Sequence, residues 1–79
     1  MQRKTENLDG TWKKLSDGAC HVQIRGGSGR AKFIPQAATV PDLDDDTYQH
    51  FAEIDWPGPE PLYAMELEGG EIASVWEDA

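Results

Sequence analysis

The stretch ACHVQIRGGSGRAKFIP, residues 19–35, decides the fold class. Cys20, Val22 and Ile24 alternate with His21, Gln23 and Arg25. That two-residue period belongs to a strand with one face on a core. RGGSGR, residues 25–30, then turns the chain, because glycine enters backbone regions closed to other residues. A further strand is expected over about 30–35, carrying Phe33 and Ile34.

The same pattern extends outward. TWKKL, residues 11–15, reads as a strand joined to the next by Ser16-Asp17-Gly18 in a hairpin. Pro35 and Pro41 bracket an irregular connection. Residues 47–56 read as a strand with Tyr48, His50, Ala52, Ile54 and Trp56 on one face. The alternative is a short helix near 43–52, with Asp44–Asp46 favourably at its N-terminus. WPGPEP, residues 56–61, is a stiff link. PLYAMELE and EIASVWED are expected to pair as a hairpin around Glu68-Gly69-Gly70, with Tyr63, Met65 and Leu67 toward the core.

Five to six short strands at this spacing predict a small all-β domain, either a curled antiparallel sheet or an SH3-like barrel. The expectation is one domain over 1–79, with 1–9 as a flexible N-terminus. LYAMELEGGEIASVWEDA, residues 62–79, resembles the last hairpin of the SH3-like domain in nitrile hydratase β subunits. The resemblance implies fold alone, since no catalytic motif accompanies it.

Leu, Ile, Val and Phe supply 14 of 79 residues, so the core is small. Three Trp and two Tyr offset this, because large aromatics bury much area each. Cys20 is the one cysteine, which excludes an intramolecular disulfide framework and a cysteine zinc cluster. The opening MQRKTENLDG has no apolar run like that of a secretory signal. No stretch approaches the ~18 apolar residues of a membrane-spanning helix. The chain is expected to be cytoplasmic, without membrane contact.

Charge is strongly segregated. Residues 1–39 hold all seven Lys and Arg with three acids, a balance of +4. Residues 40–79 hold twelve acids and no Lys or Arg, a balance of −12. Asp42, Asp44, Asp45 and Asp46 form the densest run. DLDDDTYQHFAE is similar in spacing to an EF-hand calcium loop, with Asp42, Asp44 and Asp46 at positions 1, 3 and 5 and Glu53 at position 12. Position 6 is Thr47, where that loop requires glycine for its turn.

RGGSGR offers backbone amides that could cradle an anion, but it lacks the lysine and hydroxyl residue of a phosphate-binding loop. Cys20 and His21 are adjacent, and strand neighbours point to opposite faces, so they cannot form a nucleophile–base pair with each other. No catalytic set converges and no cofactor is implied.

The sequence therefore predicts a non-enzymatic binding protein whose acidic half docks on a basic protein, for example a nucleic-acid-binding one, rather than on nucleic acid itself. Its contact residues would be Asp42, Asp44, Asp45, Asp46, Glu53 and Asp55, with Trp56 as an aromatic anchor. In size and charge the chain resembles the small acidic inhibitors of phages and mobile elements, including anti-CRISPR proteins that mimic nucleic acid, and toxin-neutralising immunity proteins. The alternatives are an SH3-like assembly module, homodimeric or not, that uses an aromatic patch, and a calcium-binding domain through Asp42, Asp44, Asp46 and Glu53.

Overall fold

The computed structural model describes residues 2–35 and 39–77. Within them are eight strands and no helix. In chain order these are β1 (Gln2–Asn7), β2 (Lys13–Ser16), β3 (Cys20–Arg25), β4 (Ala31–Pro35), β5 (Gln49–Phe51), β6 (Glu53–Trp56), β7 (Leu62–Glu66) and β8 (Ile72–Glu77). They form two four-stranded antiparallel sheets, β1-β8-β3-β6 (sheet 1) and β2-β7-β4-β5 (sheet 2).

The all-β expectation holds, and the strands at 20–25 and near 30–35 fall where the alternation placed them. The sheets are curled but do not close into a barrel. Residues 43–48 are turn and irregular chain rather than helix. Residues 2–7, expected to be loose, are an edge strand paired along its length with β8. Residues 36–38 of the proline-bracketed connection lie outside the described residues.

The chain changes sheet at every connection but β4 to β5. Neither expected hairpin forms: β2 and β3 are in different sheets, as are β7 and β8, and the RGGSGR turn likewise carries the chain from one sheet to the other. The segment 62–77, which resembled a terminal hairpin, is therefore an arch between sheets. Alternation dictates which side chains point inward, and it is the same whether the next strand pairs alongside or arches over the core. Residues 47–56 divide likewise into β5 and β6, with a bend at Ala52. Phe51 before the bend and Ile54 after it both pack on the core, although a single flat strand would put them on opposite faces.

Leu15, Val22, Phe33, Leu62 and Val75 are fully buried between the sheets. Burying each stabilises the fold by roughly 1.5–3 kcal/mol. Tyr63 and Met65 are buried in apolar surroundings, as expected, but not between the sheets. They join Trp12 and Ile34 in a second cluster on the outer face of sheet 2. β7 is thus apolar on both faces, as a central strand covered on both sides should be.

At one end of the sandwich the arches are tied by a buried carboxylate, that of Glu71. Its Oε1 accepts the backbone N–H groups of Leu67 (2.8 Å), Glu68 (3.0 Å) and Gly69 (2.9 Å). Its Oε2 accepts the N–H of Ser28 in the β3–β4 arch at 2.7 Å. Its backbone carbonyl takes the N–H of Leu8 at 3.1 Å. RGGSGR thus gives one amide, that of Ser28, to an anion that is the chain's own, and residues 67–69 give the other three. Burial alone would raise the Glu71 pKa, but the four N–H donors, from Ser28, Gly69, Glu68 and Leu67, lower it to about 2.

Gly27 makes the approach possible. A Cβ there would sit 1.9 Å from Glu71 Oε2 and 2.5 Å from the Gly69 carbonyl oxygen, and its φ is +49°. Gly29 also has positive φ (+78°), but a Cβ there would meet nothing within 4 Å. Gly27→Ala and Glu71→Ala should each cost about 3 kcal/mol in urea unfolding at neutral pH, against about 1 kcal/mol for Gly29→Ala.

The pH dependence follows from the carboxylate. The unfolded chain takes up this proton near the ordinary value of 4.5, and the folded chain only near 2. Stability from Glu71 is thus complete above about 4.5 and is lost as pH falls toward 2. The gap between wild type and Glu71→Ala should narrow over that window; a gap that stays constant down to pH 2 contradicts the assignment.

Candidate functional site

The second apolar cluster is roofed by the acidic loop. Trp12 lies buried just before β2, and its indole N–H donates to the Asp42 carbonyl at 2.9 Å. The same carbonyl accepts the Asp45 N–H at 3.0 Å, which closes a turn over 42–45. Asp45 Oδ1 accepts from the Thr47 hydroxyl (2.6 Å) and the Thr47 N–H (2.9 Å). Those two bonds, the hydroxyl first, hold its carboxyl below the usual range. Tyr48 then packs on the cluster, with Lys32 Nζ 4.7 Å from its ring centroid. The loop is held at both ends while its middle faces solvent.

That middle is charged and apolar together. Val40 and Leu43 are 60% and 65% exposed. Leu43 lies between Asp42 and Asp44, and Val40 just precedes the run; the carboxylates of Asp42, Asp44 and Asp46 have no Lys or Arg within 4 Å among the described residues. The chain's cations are engaged elsewhere or stand apart. Lys13 pairs with Asp9 at 3.7 Å and Lys14 with Asp17 at 2.8 Å, acids of the same half. Lys4–Glu77, at 2.8 Å, joins the two halves.

The other expected contact residues are not gathered with this loop. Glu53 and Asp55 stand on β6, on the outer face of sheet 1, whereas the loop covers the outer face of sheet 2. Glu53 Oε2 accepts from Gln23 Nε2 at 3.1 Å and lies 2.6 Å from His21 Nε2, a contact that needs the proton on that nitrogen. These bonds, Gln23 first, lower its pKa. Asp42, Asp44, Asp46 and Glu53 therefore do not surround one point. Among the described residues, no three His, Cys, Asp or Glu side chains gather as a metal ion would require. Trp56 is no exposed anchor: it is in the core, with its indole N–H on the Glu60 carbonyl at 2.7 Å.

Sheet 1 presents a different outer face. Arg3, Trp76, His21 and Asp55 lie in one row across β1, β8, β3 and β6. Half-buried Trp76 has Arg3 Cζ 5.6 Å from its ring centroid and the His21 ring centroid 5.9 Å away. Beside it is an open cleft of about 150 Å³ whose lining includes Cys20, His21, Asp55 and Trp76. Cys20 itself is buried, and burial pushes its thiol pKa up, away from the reactive thiolate.

Comparison with known proteins finds no family model, no curated protein and no solved structure that matches the chain.

Two features escaped sequence reasoning. Val40 and Leu43 were legible as apolar residues inside an acid run, a pattern that a solvated linker does not require. The partnership of Trp12 with Asp42 spans thirty positions and leaves no local trace. Trp12→Phe keeps the bulk but removes the indole donor. It should speed amide exchange of residues 43–48 about fivefold with little change in global melting; unchanged exchange would show that this bond does not hold the loop.

Proposed function

We propose that the chain is a non-enzymatic binding protein that docks its acidic loop on the basic surface of a protein partner. The observation that carries this reading is the loop itself: Asp42, Asp44 and Asp46 without a Lys or Arg partner among the described residues, beside exposed Val40 and Leu43 on a segment pinned by Trp12. Aliphatic side chains supply buried area at a contact, while unneutralised carboxylates steer encounter and select positive partners. Lys- and Arg-lined grooves that otherwise hold phosphates are the chemical complement. Occupying such a groove would make the protein an inhibitor or an immunity-type protein, in effect a nucleic-acid mimic.

A second reading has its own support. Trp76, set between Arg3 and His21 beside the cleft, would serve an assembly module that binds through an aromatic patch. Salt separates the two, since screening weakens charge docking and leaves apolar contacts intact or stronger.

The experiment is capture from nuclease-treated lysate with wild type, Asp42→Asn/Asp44→Asn/Asp46→Asn, Val40→Ser/Leu43→Ser and Trp76→Ala. Basic proteins should be retained by wild type and Trp76→Ala, released by about 0.5 M salt, and lost from the other two variants. Capture that survives salt and both loop variants but not Trp76→Ala would replace the first reading with the second.

A further inference from the structure

We propose that the free edge of β1 pairs with the same strand of a second copy, about a two-fold axis through Thr5, to join two sheets 1 into one eight-stranded sheet.

The sheet edges differ in how well they are protected. Natural edges are blunted by shortness, proline, bulges or charged side chains. The charges of β1, Arg3, Lys4 and Glu6, are of both signs, so a mate in the right register can meet them. β5 has three residues. β2 has four and a register irregularity between Lys14 and Ser16. β6 has four, between the bend at Ala52 and Pro57. β1 has six residues, an unbroken register against β8 and no proline.

The direction of its backbone groups follows from the ladder. Leu8 N–H donates to the Glu71 carbonyl in continuation of the β1–β8 register, so even-numbered residues of β1 face β8. The N–H and C=O groups of Arg3, Thr5 and Asn7 therefore face outward along the free edge. An antiparallel mate would take two hydrogen bonds from each of three residue pairs, about six in all.

Charge selects the register. A two-fold axis normal to the sheet keeps like faces together, so the axis passes through one residue. Centred on Lys4 it would oppose Lys4 to Lys4, and centred on Glu6 it would oppose Glu6 to Glu6, both like-charge pairs. Centred on Thr5 it sets Lys4 against Glu6 on each side of the axis, Arg3 against Asn7, and Thr5 against itself. Arg3, Lys4, Thr5 and Asn7 are exposed in the single chain, so the surface is accessible. The axis also brings the two Trp76 rows onto one continuous face.

Sedimentation equilibrium of the whole chain between about 10 µM and about 1 mM tests this. The mass should climb from 8.8 kDa toward twice that value. Thr5→Pro removes an edge donor without removing a β1–β8 bond and should abolish the rise. Glu6→Lys places like charges opposite Lys4 and should weaken association about tenfold, while Lys4→Glu/Glu6→Lys should restore it when combined with Glu77→Gln, which removes the repulsion that Lys4→Glu would meet within one copy. A chain that remains monomeric to about 1 mM overturns the proposal, as does association indifferent to Thr5→Pro and Glu6→Lys. If Thr5→Pro does not fold, the charge pair and its reversal decide alone.

Discussion

The Glu71 carboxylate is buried at the end of the sandwich where the β3–β4 and β7–β8 arches meet, and four backbone N–H groups point at its two oxygens. Arches between sheets leave more unpaired backbone donors than hairpins do, and a buried donor must find an acceptor. One anion meets four such needs at once. An apolar residue in its place would leave the donors stranded, and a neutral amide would supply one acceptor oxygen where the carboxylate has two. Glycine supplies the other half of the arrangement, since neither the φ of Gly27 nor its distance from Glu71 tolerates a side chain. The two glycine-rich segments are thus the two sides of one clip.

With the sheets fixed, sheet 2 is left with an apolar outer face of Trp12, Ile34, Tyr63 and Met65. The acidic loop covers it, which explains how four aspartates within five positions occupy a fixed place on the molecule. The Asp42 carbonyl does the fastening, the Asp45 carboxylate holds the turn at Thr47, and Tyr48 adds apolar contact. Asp42, Asp44 and Asp46 are not consumed in holding the loop. The segment is fixed at Asp42 and Thr47 with carboxylates and aliphatic side chains outward, the arrangement on which the proposed docking rests.

The strand content was legible because alternation is a local property, as Cys20, Val22 and Ile24 against Phe33 show. The pairing was not legible, since hydrogen-bond partners in an arch and in a hairpin leave the same local pattern. The burial of Tyr63 and Met65 was legible, but not the layer they join, because a strand covered on both faces has no polar side to give its orientation away. Glu71 looked like one of twelve surface acids in its half, and only the facing glycines at 69–70 and 26–27 hinted at tight packing. Of the expected site, the Asp run is a defined loop, but Glu53 and Asp55 are on the opposite face and Trp56 is in the core. Spacing along the chain could not anticipate the bend at Ala52 that separates them.

Glu71 is buried, ionised and held by backbone donors. Its side-chain carboxyl carbon can be followed by NMR in labelled protein from neutral pH downward, with the Ser28 amide as a second reporter of the same event. No titration is expected through the ordinary range near 4.5; the midpoint should fall at about 2, with the Ser28 amide moving in step. A Glu71 carboxyl that titrates near 4.5 while the fold persists would contradict that expectation.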